Sequence, residues 1–449
     1  MTTEQTISNG VSDGSAVAGH AEPALVNELG ERRIVGKLGW FGPLNLCAML
    51  FPTIATSAAS ALSGFTFTAV LPEARANSAI GLQSMFGALS GAIFAVLIGH
   101  LSDKTRSRMG RRNPWILGGS IACMVGLLGL AFADYRMIWP AVVSLCIFQA
   151  GLNTYYSAYN ALLPDRVDSS LLGRASAYSG FGSLAGSAIG TILNQVLIAI
   201  FGTGHITRGF LTLPWAMLIV AVVVVLALPG ADLRKMKDSQ KKTGEDSQNV
   251  PSPKTAKFRL PADRDFWLAY VGRFFIVLAI MLVMQTGTQI QRYYFGLDIK
   301  SAAAVGSISG LIMAVVGAFS SIIGGVASDK IGKRKPLLAV SAALVIIGLV
   351  ILASRKALAL FYVYTALAAL AYGIFQAVDQ ALMVQVLPDK ENAAQDMGIL
   401  GTTNTLTGVI AGAVGAALIA GIGYRLMFLL AALFALVGIL AFIPIKRVR

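Results

Sequence analysis

Charge is the scarcest property of this sequence. Only 13% of its 449 residues are Asp, Glu, Lys or Arg, whereas 55% are hydrophobic and the mean hydropathy is +0.69. A soluble domain has about 25% charged residues, so the composition excludes an ordinary water-soluble globular protein. Long apolar runs separated by short basic loops instead predict a chain that spans a lipid bilayer.

Reactive and ligating residues are also scarce. The three cysteines, Cys47, Cys123 and Cys146, fall inside predicted spans, and their number and spacing fit neither a disulfide framework nor a metal cluster. The sequence contains no nucleotide-binding loop and no nucleophile–base arrangement. We therefore expect no metal, no cofactor, no ATP-driven step and no enzymatic activity.

Twelve apolar stretches are long enough to cross the bilayer as helices, which takes about 20 residues each. The predicted spans are 38–61, 78–101, 114–133, 137–162, 174–201, 211–229, 265–291, 301–327, 336–353, 357–386, 397–420 and 422–443. The polar N-terminal segment has no apolar core of a signal peptide, so the first helix is expected to act as the targeting signal.

The distribution of Lys and Arg among the loops predicts the orientation of these helices in the membrane. The side with both termini and the 2–3, 4–5, 6–7, 8–9 and 10–11 loops carries 27 of the 36 Lys and Arg residues. By the positive-inside rule this side is cytoplasmic, in a multi-pass protein of the cell (inner) membrane. Topology thus explains the net charge of +14, and a nucleic-acid partner is not expected.

The chain contains an internal duplication of six helices. Residues 99–103, 147–150 and 163–165 recur as 325–329, 374–377 and 387–389, at nearly one offset. We therefore predict an all-α membrane protein with two pseudo-symmetric six-helix bundles and a solute site between them. The predicted domains are a disordered cytoplasmic tail (1–36), an N-terminal bundle (37–229), a cytoplasmic linker (230–264) and a C-terminal bundle with a short basic tail (265–449).

A charged glycine motif occupies the 2–3 loop and its repeat the 8–9 loop. The residues are Asp103, Gly110, Arg111 and Arg112 in the first copy, and Asp329, Gly332, Lys333 and Arg334 in the second. Both copies resemble the signature of the major facilitator superfamily, which implies a cytoplasmic gate with Asp103 facing helix eleven and Asp329 facing helix five. Simple positive-inside topology is the alternative explanation of the cations.

The longer string 103–116 resembles the glycoside–pentoside–hexuronide symporters and the related sucrose transporters. This likeness implies a sugar or glycoside substrate. The coupling sites of those relatives are not kept: Gly91 and Ala95 stand where melibiose-permease-like proteins carry sodium-binding carboxylates, and Gln149 stands where sucrose transporters carry a proton-binding aspartate.

Polar side chains form stripes on helices one, four, seven and ten, which line the cavity in the superfamily. The predicted substrate-binding residues are Asn45, Gln149, Asn153, Tyr156, Asn160, Arg273, Gln285, Gln289, Tyr372, Gln376 and Gln380. Amides and tyrosines suit the hydroxyl groups and apolar faces of a neutral polyol. Polar contacts between helices are the alternative role of such stripes.

One carboxylate, Asp379, lies deep in a span, and Arg273 lies at a similar depth on helix seven. Because an isolated buried charge costs more than a pair, we predict that the two approach each other. Three roles stay open for the pair: a structural tie, a proton switch centred on Asp379, or direct substrate binding.

These patterns predict a monomeric secondary active transporter that moves a small hydrophilic solute, a sugar or glycoside, by alternating access with proton symport. The alternatives are a proton-coupled exporter of amphiphilic compounds and a receptor-like membrane protein that transports nothing.

Overall fold

Helices account for almost all of the described chain. The computed structural model describes residues 34–202, 204–230, 261, 263–331, 335–386 and 393–445. Within these residues the only β-type pairing is an isolated bridge between Ile34 and Val167. The predicted all-α class is therefore confirmed.

Six helices form the first half of the chain. They are α1 (Phe41–Val70), α2 (Glu73–Lys104), α3 (Asn113–Phe132), α4 (Ile138–Arg166), α5 (Ser169–Phe201) and α6 (Gly204–Ala227). The second half contains α7 (Arg264–Gln285), α8 (Ile299–Ile331), α9 (Lys335–Ser354), α10 (Leu358–Gln385) and α11 (Ala393–Phe442).

Two elements of the second half depart from regular helix. A helical turn, Gly287–Gln289, and a π-helical turn, Ile290–Tyr294, follow α7, and we call residues 287–294 the α7 extension. The helix α11 is broken at Gly423, whose φ of 76° and ψ of 171° are open essentially to glycine alone. We call its two parts α11a and α11b.

Nine helices of the described part are long and apolar enough to cross a membrane. One of them, Thr402–Phe442, holds the two spans α11a and α11b. Two further spans are missed by hydropathy: the apolar part of α6 is short, and polar side chains interrupt α4. With these three additions the described chain contains the predicted twelve spans.

The helices pack into two lobes, each with its own apolar core. The N-lobe, α1–α6, is built around side chains such as Phe41, Phe148 and Tyr155. The C-lobe, α7–α11, is built around side chains such as Phe266 and Phe428. Wide bands of exposed Leu, Ile, Val and Phe surround both lobes, as expected for helices in lipid.

Small residues set the spacing of α1 and α5. The glycines at 182, 186 and 190 pack directly on the α1 backbone at Leu46, Leu50 and Ile54, as their four-residue repeat predicts. On α11a, Gly412 packs against Ser84 of α2, whereas Gly408 has no neighbour within 4 Å among the described atoms.

The two ends of the bundle can be named from the chain. We call the end where α1 begins the basic side and the other end the opposite side. Among the described residues, two hydrogen bonds join the lobes: one from Arg292 to Thr68 and one from Tyr424 to Glu73. Both lie on the opposite side. The contact of Gly81 of α2 with Ala416 of α11a lies in the same half of the bundle.

The predicted boundaries can be compared only in part. Ile34, near the end of the predicted tail, exchanges backbone hydrogen bonds with Arg166 and Asp168, at 2.7 and 3.1 Å, and so contacts the N-lobe. Helix α7 begins at Arg264, one residue before the predicted boundary. Residues 1–33, 231–260, 262 and 446–449, which hold most of the tail and linker predictions, lie outside the described residues.

Candidate functional site

A cavity of about 450 Å³ lies between the lobes, from mid-depth toward the opposite side. Helices α1, α2, α4 and α5 of one lobe and α7, α8 and α10 of the other contribute to its wall. The four predicted cavity helices are thus all present, although α4 contributes only Leu145.

Hydroxyl and amide groups dominate the polar part of this wall. The polar lining residues are Thr56, Ser57, Ser60, Ser63, Gln83, Ser84, Thr191, Gln195, Gln285, Thr288, Gln291, Ser309, Tyr364 and Thr365. The apolar part includes Met281, Met284, Met313 and Phe361. None of the described lining residues is Asp, Glu, Lys or Arg, so the wall offers hydrogen bonds but no charge.

Contacts of the α7 extension close the cavity on the opposite side. Arg292 donates a hydrogen bond to the carbonyl of Leu297 in its own lobe, and a second, at 3.2 Å, to the carbonyl of Thr68 in the last turn of α1. A cation at a helix C-terminus is favourable there. Below it, Gly64 of α1 lets Thr288 approach closely.

A second contact closes the same end beside α2. The hydroxyl of Tyr424, at the start of α11b, donates to Glu73 at 3.1 Å. Farther in, a Cβ at Gly81 would come within 2.6 Å of Ala416 and 2.8 Å of the Gly412 carbonyl. The lobes therefore touch backbone to backbone along α2 and α11a.

Of the predicted substrate-binding residues, Gln285 alone is among the described residues that line the cavity. Asn45 is fully buried: its amide donates to the Ala175 carbonyl at 2.6 Å, and its oxygen accepts from Tyr159 and Ser179, each at 2.8 Å. With donor and acceptor both engaged, Asn45 ties α1, α4 and α5 together. Its predicted substrate role is therefore wrong for this conformation.

The α4 stripe lies on the basic side of the cavity and makes helix contacts. Gln149 packs over Gly87 of α2, and the Asn153 amide lies against Gly91 while donating to the Gln149 carbonyl at 2.9 Å. Tyr156 bonds the hydroxyl of Thr53 at 2.9 Å. The spacing predicted a shared face correctly, but in this conformation that face meets α2 and α1 instead of the cavity.

The other predicted positions scatter around the cavity. Gln289 is buried in the α7 extension, where its carbonyl lies 3.5 Å from the Tyr424 hydroxyl. Asn160 and Gln376 are exposed on the basic-side halves of α4 and α10.

The predicted approach of Arg273 and Asp379 is confirmed. Arg273 Nη2 lies 3.2 Å from Asp379 Oδ2, and the two side chains are 3% and 1% exposed. The contact is an ion pair without the alignment of a hydrogen bond. Arg273 Nη1 also donates to the carbonyl of Leu400 at 3.2 Å, so the pair joins α7, α10 and α11a. Tyr372, two turns before Asp379, is close enough to interact with both charges.

This pair lies outside the cavity wall. Asp379 follows the lining residue Ala368 by eleven positions, about 16 Å along α10, and Arg273 precedes the lining residue Ile280 by seven positions, about 10 Å. Its burial leaves no room for a solute contact in this conformation, which corrects the prediction that Arg273 binds substrate.

The 2–3 loop has the geometry that its motif demands. Gly110 has a φ of 87°, which favours glycine. Arg111 and Arg112 contact one oxygen of Asp165, at the end of α4, at 2.7 and 3.0 Å, and Arg112 also donates to Ser102. The cations of the first copy therefore pair within their own lobe.

Several predicted positions lie outside the described residues. They are the side chains of Asp103, Asp329 and Gln380, and the residues Gly332, Lys333 and Arg334. The predicted contacts of Asp103 with helix eleven and Asp329 with helix five thus stay predictions.

Sequence reasoning missed the polar residues that α2, α5 and α8 bring to the cavity. Thr191 and Gln195 lie four residues apart on α5, and Ser309 lies three residues after Gly306 on α8. These spacings place each pair on one helix face. Polar residues spaced three or four positions apart and beside small residues, near the opposite-side ends of the spans, could have indicated these cavity-lining positions.

Two pseudo-symmetric six-helix lobes around a polar cavity closed at one end are the architecture of the major facilitator fold. Solved structures have the same fold. The nucleoside transporter NupG aligns over 90% of this chain and 98% of its own, with a TM-score of 0.67 and 13% identity. A bacterial homologue of the human lysosomal transporter Spinster, in an inward-facing and occupied conformation, aligns over 92% and 98%, with a TM-score of 0.65 and 13% identity.

The sequence profile of the family described as MFS/sugar transport protein matches residues 73–445, and the chain belongs to this family. It is 32% identical over 145 residues to a protein named uncharacterized symporter of Synechocystis sp., covering 30% of this chain and 26% of the relative. It is 27% identical over 213 residues to the lactose permease of Lactobacillus delbrueckii subsp. bulgaricus, covering 44% and 32%. The matches thus span about a third or less of these relatives' lengths.

Proposed function

We propose that this protein is a secondary active transporter of a small neutral hydroxylated solute, a sugar or glycoside, which it moves by alternating access with proton symport. The observation that carries the proposal is the cavity of about 450 Å³, whose described wall offers hydroxyls and amides but no charge. Its volume falls in the range of small-molecule sites, about 300–1,000 Å³. The names of two relatives, a symporter and a lactose permease, support symport and a sugar substrate.

The pattern of closure supports alternating access. On the opposite side, Arg292 and Tyr424 join the lobes above the cavity. On the basic side, Asn160 and Gln376 are exposed on α4 and α10. We assign the basic side to the cytoplasm from the distribution of Lys and Arg, with both termini there and the protein in the inner membrane as a monomer. The conformation is then open inward.

The ion pair is the proposed proton switch. Protonation of Asp379 would remove its attraction to Arg273 and so weaken the tie between α7 and α10. Since the pair lies between the cavity and the basic side, release of this tie would change how the C-lobe meets the solute pathway. A purely structural tie between α7 and α10 is the competing role.

A thermal-shift panel tests the substrate class, because a ligand that binds only the folded protein stabilises it by about 2.7 kcal/mol at 100 times its Kd. The panel contains glucose, xylose, sucrose and lactose, and tetraphenylphosphonium as a lipophilic cation. We expect stabilisation by at least one sugar. The apolar part of the wall, with Met281, Met284 and Met313, makes an exporter of amphiphilic compounds the second candidate. Stabilisation by the cation alone would favour that exporter and refute the sugar proposal.

Transport in proteoliposomes tests the coupling. With Asp379→Asn we expect loss of pH-driven accumulation of the stabilising sugar and retention of counterflow exchange. Asp134→Asn, in the exposed α3–α4 loop, is the matched control and should keep both activities. Accumulation retained by Asp379→Asn would remove this carboxylate from the proton-carrying role.

A further inference from the structure

Two polar groups of the cavity wall stand out because the described protein leaves them without hydrogen-bond partners. They are Oε1 of Gln195, on α5 of the N-lobe, and Oγ of Ser309, on α8 of the C-lobe. Both atoms are withdrawn from solvent, and Ser309 as a residue is 9% exposed. Buried polar atoms of this kind are uncommon because burial without a partner is costly.

The backbone of α8 is shaped to admit Gln195. A Cβ at Gly306 would overlap Oε1 of Gln195, so only glycine lets the amide reach this depth. One turn later, a Cβ at Gly310 would lie 3.4 Å from side-chain atoms of Thr191 and Ile192 of α5. The close approach therefore places an N-lobe acceptor over the helix face that carries Ser309 three residues after Gly306.

A neighbouring serine shows how an ordinary buried hydroxyl behaves on this helix. Ser307 is also 9% exposed, but its hydroxyl donates to the carbonyl of Ala303 at 2.8 Å and does not line the cavity. Back-bonding to the preceding turn is thus the local alternative for a serine of α8. The hydroxyl of Ser309 does not make this bond and has no hydrogen-bond partner among the described residues at the cavity wall.

We propose that Gln195 and Ser309 form a subsite for one hydroxyl group of the solute, held between the two lobes. The solute hydroxyl donates its hydrogen to Oε1 of Gln195, and its oxygen accepts the hydrogen of the Ser309 hydroxyl. This inference rests on the proposed transport of a hydroxylated solute and adds where the solute bridges the lobes. A ligand that bonds α5 and α8 together stabilises the closed opposite side, so occupancy and lobe closure become linked.

The test compares Ser309→Ala with Ser307→Ala, with the four sugars of the panel as probes. For the sugar that shifts wild type most, we expect Ser309→Ala to weaken binding about tenfold, as loss of one buried hydrogen bond does. Gln195→Leu should weaken it similarly, and the double variant should lose less than the product of the two. Ser307→Ala should bind that sugar like wild type.

Stability without sugar provides a second, ligand-independent readout. Removing an unpartnered buried hydroxyl relieves its desolvation cost, so sugar-free Ser309→Ala should unfold at or above the wild-type temperature. Sugar-free Ser307→Ala should unfold lower, because it loses the bond to Ala303. Opposite signs for stability and affinity in Ser309→Ala are therefore the signature of the subsite.

The outcomes separate this inference from the proposed function. If a sugar stabilises wild type and Ser309→Ala equally, the subsite is refuted while sugar binding stands. A lower unfolding temperature for sugar-free Ser309→Ala would also refute it, because the hydroxyl would then have a structural partner. If no sugar of the panel stabilises wild type, both proposals fail.

Discussion

The ion pair of Arg273 and Asp379 gives the strongest stability prediction. At 3.2 Å and an effective dielectric constant of about 20, the two charges attract by about 5 kcal/mol. Both side chains are almost fully buried, so each also lost several kcal/mol of hydration on folding. The pair as a whole is therefore expected to be near neutral, whereas either charge alone is expensive.

Neutralising one partner should thus be far worse than neutralising both. We expect Asp379→Asn to lower the free energy of unfolding by about 3–5 kcal/mol, because Arg273 keeps its buried positive charge and loses the carboxylate that balances it. The hydrogen bond from Arg273 to the Leu400 carbonyl remains, but this carbonyl carries no charge. Arg273→Gln should cost a similar amount. The double variant should recover most of the loss, since neither member of the pair then leaves the other's buried charge uncompensated.

Equilibrium unfolding of the four proteins in mixed micelles, followed by intrinsic fluorescence, measures this cycle. Asp134→Asn is the control for loss of an exposed carboxylate and should stay within about 0.5 kcal/mol of wild type. A loss below about 1 kcal/mol for Asp379→Asn, or a double variant as unstable as the two singles combined, would show that the charges do not compensate each other.

Three further substitutions probe the lobe contacts and the 2–3 loop. Gly81→Val should separate α2 from α11a and shift the population toward a state open on the opposite side. Gly118→Val is the control and should cause no such shift, because a Cβ at Gly118 would have no described neighbour within 4 Å. Spin-label distances between the lobes measure both variants. Tyr424→Phe should shift the same equilibrium in the same direction by about fivefold, for one lost hydrogen bond of about 1 kcal/mol, and unchanged distances would refute its closing role. Asp165→Asn should lower the free energy of unfolding by about 1–2 kcal/mol through weaker contacts with Arg111 and Arg112, and wild-type stability would mean that solvent already screens them.

The sequence was sufficient for the fold and for one charged contact. Hydropathy, loop charge and the internal repeat predicted twelve spans in two lobes because the bilayer forces each apolar run into a helix of known length. The pairing of Arg273 with Asp379 was predictable because depth along a helix follows from residue count, and few charges compete inside the membrane.

The sequence was insufficient for the identity of the cavity wall. Periodicity shows that Gln149, Asn153 and Tyr156 share a face, but not which neighbour that face meets. Gly87 and Gly91 of α2 decide this, since the absence of two side chains lets the α4 amides turn toward α2. Asn45 was misassigned for a similar reason, because its three partners come from α4 and α5, more than 100 residues away in sequence.

The contacts of Asp165 with the 2–3 loop could be predicted from the sequence only in part. The recurrence of Leu-Pro-Asp at 163–165 signalled that Asp165 is part of the repeated unit, yet its contacts with Arg111 and Arg112 depend on how α4 meets the 2–3 loop. Only the three-dimensional arrangement of the N-lobe supplies that information.

The uncharged wall of the cavity has an energetic consequence for the whole cycle. A neutral solute in a neutral pocket crosses the bilayer without electrical work, so the membrane potential can act only on a co-transported ion. In the proposed symport, each proton that accompanies the solute inward would gain about 2.3 kcal/mol per 100 mV. That energy would correspond to about fiftyfold accumulation of the solute, drawn from a charge carried outside the described lining of the cavity.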